Sequence, residues 1–313
     1  MRSPCVAVVC MATWLAGCAT PEYAIRQVPV PEESPSALQI ERTISAYQAG
    51  QFQRQGARSI GPSERLAGFE VQPLVNRLSR VTERPSLRYR AYLLHDDDPN
   101  AAALADGRIY LTTGLLNYLA RRGGQADELA SVISHELAHT VAQHLVKRYR
   151  MLQQQELLMA LVAAGAAVAS RDAGAPMQRA SRLAVNVASL LQDVANSGYS
   201  QEQELEADQL GIQYMIRAGF RPEATLELLQ DFSRFEQPWP LLRTHPYSTR
   251  RQEDLQRYLT DIGYWERTQP RPQQSPSTSA QQRLTHLREI QRLYPSGSVS
   301  WQNLQRQIEA LIK

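Results

Sequence analysis

The string His135-Glu136-Leu137-Ala138-His139 constrains this chain more tightly than any other feature. In an α-helix, residues four apart lie one turn above each other, so both imidazoles can reach a single ion at about 2.0–2.1 Å. Glu136, next to the first histidine and three residues before the second, leans over the same point and can take a proton from an attacking water. With six histidines in 313 residues, an HExxH pattern is expected by chance only about 0.007 times in a chain of this composition, so coincidence explains it poorly. The flanks predict the required helix. Asp127 caps it and Glu128 complements its positive end. Leu129, Val132, Ile133, Leu137 and Val141 supply an apolar face, with Lys147, Arg148 and Arg150 toward the far end. The competing reading is a solvated helix carrying two exposed histidines.

A catalytic zinc site takes a third protein ligand and keeps a fourth position for water. The best source is Ser200-Gln201-Glu202-Gln203-Glu204-Leu205-Glu206-Ala207-Asp208. Ser200 and Gln203 form a capping box, and Gly219 and Pro222 end the helix that starts there. Of the three glutamates, only Glu204 has an acid four residues later, Asp208, on the same face. That pairing suits a metal ligand plus a carboxylate that orients a ligating imidazole through its other ring nitrogen. Glu202 and Glu206 point elsewhere and read as solvated. The alternative for all four acids is an ordinary charged first turn, which the helix dipole favours.

Composition narrows the setting. At 43% hydrophobic and 21% charged residues, the chain is not wholly disordered, collagenous or a polytopic membrane protein. A net charge of +3, with the arginines scattered near glutamates, leaves no basic stripe and argues against a nucleic-acid partner. Cys5, Cys10 and Cys18 all lie in the first eighteen residues, which excludes a disulfide framework and a cysteine-rich zinc site in the body. Residues 1–17 combine a positive start with an apolar run too short to span a bilayer, and read as a signal peptide. Its end, Leu15-Ala16-Gly17-Cys18, resembles the bacterial lipobox, with Cys18 as the lipidated residue; an ordinary secretory signal is the alternative. Ala19, which is not Asp, favours the outer membrane, where acyl chains hold a protein without a transmembrane helix.

Residues 18–36, with Pro21, Pro29, Pro31 and Pro35, read as an extended lipidated tether, and residues 37–265 as the folded body. Leu74, Val75, Leu78 and Val81 recur at helical spacing. Residues 87–94 alternate as a strand, 108–112 form a second strand candidate, and helical patterns fill 127–261. Residues 266–280, rich in Pro, Gln and Ser, form a linker, and residues 281–313 a small helical hairpin that could be a single degenerate repeat unit. The expected class is α+β, mostly helical, with a small β-sheet beside the HExxH helix. Residues 157–169 are too short to span a bilayer and read as a buried or cleft-covering helix, with a membrane-surface role as the lesser alternative. Residues 172–176 are a candidate lid.

Three segments carry a family resemblance: Asp127-Glu128-Leu129-Ala130 through His144, Glu204-Leu205-Glu206-Ala207-Asp208, and Thr244-His245-Pro246 followed by Arg251. Over roughly residues 66–256 the chain resembles the gluzincin metallopeptidases of the CAAX prenyl endopeptidase and HtpX type, in their soluble periplasmic branch. The resemblance implies a zincin-like metalloprotease domain with one Zn2+ held by His135, His139 and Glu204, with Glu136 as the acid–base residue and Asp208 behind the ligands. Residues 100–110, beginning at Asn100, are similar to the family's NAFALPGG segment and following strand, but Ala102, Ala105 and Asp106 replace its phenylalanine, proline and first glycine. In zincin proteases an edge strand beside the zinc helix pairs with substrate, so Asn100, Arg108, Ile109 and Tyr110 are the substrate-strand candidates.

His245 has two readings. It either donates to a developing oxyanion or occupies the open metal position in a latent state, or else it belongs to a rigid loop after Pro238-Trp239-Pro240. Arg251 pairs with an active-site acid or a substrate carboxylate, or lies on the surface. His95, His144 and His286 show no partner pattern and read as structural or exposed. Together these residues imply a zinc metalloendopeptidase, lipid-anchored at the periplasmic face of a bacterial outer membrane. Its substrates would be misfolded or unassembled envelope proteins, with the outer-membrane assembly machinery as a partner. The alternative is a chaperone or assembly factor of the same fold with slow or latent proteolysis.

Overall fold

A computed structural model of the chain describes residues 23–169, 187–196, 198–232, 245, 249–268, 280–292 and 296–312. The expected signal peptide and Cys18, the candidate lid at 172–176, Pro238 to Pro240, Thr244, Pro246, most of the expected linker at 266–280 and the side chain of His286 lie outside the described residues. The described chain divides into two compact units between Tyr258 and Leu259.

The first unit is α+β and mostly helical. Helix α1 (Pro35–Arg54) starts where Ser34 accepts a hydrogen bond from the Ala37 N–H and Pro35 takes the first turn, where its missing donor costs nothing. Strands β1 (Arg58–Ser59), β4 (Arg90–Leu94), β5 (Ala101–Ala103) and β6 (Arg108–Thr112) form one sheet in the order β1-β4-β6-β5, while β2 (Arg65–Leu66) and β3 (Phe69–Glu70) form a hairpin. The β4–β6 pair is parallel and the β5–β6 pair antiparallel, with Ala102 opposite Tyr110. Strand β6 is therefore internal, and β5 is the edge strand beside it. Ile109 and Tyr110 are buried between neighbours, and Arg108 is tied to Asp106 and to the Ser45 carbonyl. The expectation that Arg108, Ile109 and Tyr110 form a substrate-pairing edge is thus corrected: both of their hydrogen-bonding edges are already used. Asn100 directly precedes the edge strand β5, but its carbonyl accepts from Thr112 N–H and its N–H donates to Thr112 Oγ1, so its own backbone is turned to β6.

Helices α2 (Val71–Ser79), α3 (Thr113–Arg121), α4 (Ala126–Val141), α5 (His144–Ala169), α6 (Val187–Asn196), α7 (Gln201–Ala218), α8 (Glu223–Phe232) and α9 (Thr249–Asp261) follow. The HExxH string lies on α4. That helix begins one residue before the expected cap, so Gln125 takes the N-cap position without a side-chain bond. Asp127 sits inside the first turn and accepts the Arg221 N–H instead. The capping box on α7 forms between Ser200 and Gln203, and Gly219 ends the helix in the left-handed conformation (φ 74°), where lack of a Cβ avoids strain. Helices α4 and α7 approach so closely at Gly211 that an added Cβ would stand 3.2 Å from His135 N and 3.3 Å from His135 Cα. Glycine at that point lets the two helices bring their polar side chains together.

The expectation of a buried helix at 157–169 is corrected at its start: Leu157, Leu158 and Met159 are more than half exposed on α5. The segment 23–34 is extended, and it is fastened to the body. The Gln209 amide of α7 accepts from Arg26 N–H at 2.8 Å and donates to the Ala24 carbonyl at 2.9 Å. The Gln143 amide, after α4, accepts from Glu32 N–H at 2.7 Å and donates to the Glu32 carbonyl at 2.9 Å. Gln143 also donates to Glu41, whose carboxylate forms a buried two-pronged pair with Arg84. Gln143 itself is left-handed (φ 54°), and this kink separates α4 from α5.

In the second unit, α10 (Tyr264–Thr268) precedes α11 (Ala280–Gln291) and α12 (Val299–Ile312), which pack on each other as a hairpin. Gln291 donates to Gln305 across it, and Ile308 is buried.

Candidate metal centre

Helices α4 and α7 present His135, His139 and Glu204 toward one point, and His245 reaches the same point from the segment between α8 and α9. All four offer ligand atoms within 4.8 Å of one another. His135 Nε2 lies 3.0 Å from His139 Nε2 and 3.2 Å from His245 Nδ1. Glu204 Oε1 lies 3.1 Å from His245 Nδ1 and 3.4 Å from His139 Nε2. Ligands about 2.05 Å from a tetrahedral zinc stand about 3.3 Å apart, and these four donor–donor distances are compatible with that spacing. Three imidazoles and a carboxylate are also the donor chemistry that suits this ion.

The surroundings select for a cation. Glu136, Glu204 and Asp208 are all buried, and Arg251 is the strong base among them. Burial alone would hold His135 neutral, but Asp208 and Glu204 facing it push the imidazole up to about 10; the field that draws a proton there also draws a divalent ion. His139 goes the other way: burial pushes it well below its ordinary value, so it stands ready as a neutral ligand. Burial opposes the charge on Glu204, yet Arg251 and His245 hold its carboxyl well below the usual range. The same balance, with Arg251 again the main partner, keeps Asp208 ionised.

Each expected residue can now be placed. Asp208 Oδ1 lies 3.0 Å from His135 Nδ1, the ring nitrogen turned away from the donor cluster. Arg251 is buried rather than surface-exposed. It grips Asp208 with Nε and Nη2, both at 2.7 Å, and sets Nη1 2.8 Å from Glu204 Oε2, so it pairs with site acids. Glu136 reaches back from α4 to β5, where its Oε2 accepts the Ala103 N–H at 2.8 Å. Its buried Oε1 accepts no hydrogen bond among the described residues and lies 3.3 Å from His245 Nε2. An apolar cleft lined by Val132, Thr225, Leu228, Leu229 and Phe232 opens beside His135 and Glu136. His95 is exposed, and Glu202 is exposed with Arg26 3.7 Å away.

Sequence reasoning missed three residues. His144 is fully buried, and its Nδ1 lies 2.7 Å from His139 Nδ1. Glu206, read as solvated, lies 3.2 Å from His144 Nε2. Tyr199 stacks on His139 with ring centroids 3.7 Å apart. A signal existed for the first: His144 follows His139 by five residues, a turn and a half away, across a break between helices that periodicity alone does not show.

Comparison with known proteins agrees with this geometry. Residues 67–259 match the model of peptidase family M48. The beta-barrel assembly-enhancing protease of Yersinia pestis is 31% identical over 194 residues, covering 59% of this chain and 37% of that protein. The Escherichia coli K12 protein of the same name is 28% identical over 253 residues, covering 78% of this chain and 50% of its own length. The mitochondrial metalloendopeptidase OMA1 of Schizosaccharomyces pombe is 26% identical over 204 residues, covering 64% and 55%. The chain thus spans about half the length of these relatives or less. With the family match covering more than half of the chain and centred on the four-donor cluster, this chain belongs to peptidase family M48, a family of zinc metallopeptidases.

Proposed function

We propose that this chain is a zinc metalloendopeptidase of the bacterial envelope, acting in outer-membrane protein quality control. The observation that carries the proposal is the set of four ligand atoms within 4.8 Å of one another with Glu136 beside it. His135, His139 and Glu204 hold the metal. When bound, zinc supplies a Lewis acid that polarises the scissile carbonyl and acidifies the attacking water. Glu136 takes the proton from that water and delivers it to the leaving amine. Asp208 fixes the His135 ring, and Arg251 keeps Asp208 and Glu204 charged.

The substrate binds as an added strand on β5, the edge that replaces β6 in this role. Its carbonyl takes the Ala103 N–H, which releases Glu136 Oε2 for proton transfer. An apolar substrate side chain enters the cleft between Val132 and Phe232. His245 Nδ1 stands beside the same donors, 3.2 Å from His135 Nε2, so it would compete with the attacking water for the metal that His135, His139 and Glu204 would hold.

The address follows from the leader: lipid on Cys18 holds the enzyme to the periplasmic face of the outer membrane, next to misfolded or unassembled envelope proteins and the machinery that assembles them. One feature supports this reading: the relatives from Yersinia pestis and Escherichia coli carry the name beta-barrel assembly-enhancing protease. Replacing Cys18 by Ala is expected to move the protein from the membrane to the soluble fraction.

One observation favours a second reading, a chaperone or assembly factor with latent proteolysis: His245 stands among the donors and the Ala103 N–H is taken by Glu136, so the chain's own side chains fill both places. Glu136→Gln separates the two in cells. A protease loses cleavage and phenotype together, whereas a chaperone keeps its phenotype.

A further inference from the structure

We propose that His144 is a positioning residue for the zinc ligand His139, and that Glu206 in turn fixes the protonation pattern of His144. The proposal rests on the metal-centre reading above. Three contacts run in line: the donor cluster to His139 Nε2, His139 Nδ1 to His144 Nδ1 at 2.7 Å, and His144 Nε2 to Glu206 Oε2 at 3.2 Å.

Only one arrangement of hydrogens serves all three. Glu206 is an acceptor, so His144 Nε2 carries hydrogen and donates to it. Neutral His144 then has a bare Nδ1, which accepts from His139 Nδ1–H. His139 is left with its lone pair on Nε2, facing the other donors. In the reversed arrangement His144 Nδ1–H donates to His139, and the His139 hydrogen sits on Nε2, pointing into the metal site. His144 Nε2 then presents a lone pair to a carboxylate, which repels it. Glu206 therefore selects, through an intervening imidazole, the tautomer of His139 that can bind metal.

The backbone is built to make this contact. The left-handed turn at Gln143 ends α4 just after His139 and starts α5 with His144 folded back against it. The Gln143 amide is held by Glu32 and Glu41, so the kink is fastened from two sides. Lys147 Nζ, 3.8 Å from Glu206 Oε2, keeps a positive charge beside that carboxylate. The two ligating histidines thus share one plan in two lengths. Asp208 backs His135 directly, and Glu206 backs His139 through His144.

The test measures zinc affinity of the full chain by chelator competition, with far-UV circular dichroism as the check on folding. His144→Leu is expected to weaken zinc binding by about 10–100-fold, the usual cost of losing an outer partner of a metal ligand. His144→Asn places an amide oxygen near the Nδ1 position and is expected to restore most of that loss. If His144→Leu does not fold, Glu206→Ala, at the half-buried end of the relay, is expected to give a smaller loss in the same direction. Wild-type affinity in both His144→Leu and Glu206→Ala, or equal weakening in His144→Asn and His144→Leu, overturns the proposal while leaving the metal centre standing. A wild-type chain that binds no zinc overturns the metal-centre reading and this one with it.

Discussion

The backbone N–H of Ala103 donates to Glu136 Oε2 at 2.8 Å, joining the open edge of the sheet to the residue assigned to proton transfer. A substrate strand on β5 must take over that N–H. Proline at position 103 removes the donor, and an edge strand tolerates proline where its N–H points away from the ladder. Ala103→Pro is expected to lower kcat/KM for a peptide substrate about tenfold, the value of one hydrogen bond of about 1.4 kcal/mol, with zinc content unchanged. An unchanged kcat/KM would remove β5 from the substrate site.

His245 Nδ1 sits 3.2 Å from His135 Nε2 and 3.1 Å from Glu204 Oε1, the place an incoming water needs. His245→Ala leaves the other three ligands intact. It is expected to retain zinc and to cleave casein faster than the wild type. Slower cleavage with zinc retained would instead assign His245 to oxyanion stabilisation.

Gly211 allows α7 to pass within 3.2 Å of the His135 backbone, measured from where a Cβ would stand. The neighbouring atoms are all main chain and cannot rotate away. Gly211→Ala is expected to cost about 1–3 kcal/mol, as overpacking typically does, and to lower the melting temperature by several degrees. It should also weaken zinc binding, since α4 and α7 carry the proposed ligands on both sides of the contact. Thermal denaturation with and without added zinc checks both effects.

Glu41 and Arg84 form a buried pair that also steadies Gln143 at the end of α4. Glu41→Ala leaves an uncompensated buried guanidinium and is expected to destabilise by about 3–5 kcal/mol. The exposed Arg65–Glu70 pair is the control: Glu70→Ala should change stability by less than about 1 kcal/mol. Chemical denaturation of both variants compares them directly.

What could be read from sequence was local. His135, Glu136 and His139 sit within one and a half turns, and the Ser200–Gln203 box closes within four residues, so spacing alone places them on helices. Strand order is not local. Residues 108–112 are rich in β-formers and were easy to find, but three alanines at 101–103 carry little strand preference, and their edge position depends on pairing with β6. Glu206 reads as solvated in sequence because it faces away from Glu204, and that orientation is what turns it toward His144. The return of His144 onto His139 depends on a left-handed turn at Gln143 held by Glu32 and Glu41, each more than a hundred residues away in sequence. The apolar run at 157–159 suggested burial from composition, but no described partner covers it.

The central claim is that His135, His139 and Glu204 hold one zinc ion beside a working Glu136. Metal analysis of the purified wild type and Glu136→Gln chains, run alongside casein cleavage by both, tests it most directly. The expected result is one zinc per chain in each protein, with cleavage by the wild type and none by the variant. A folded wild type without metal, or a Glu136→Gln chain that cleaves at the wild-type rate, would contradict it.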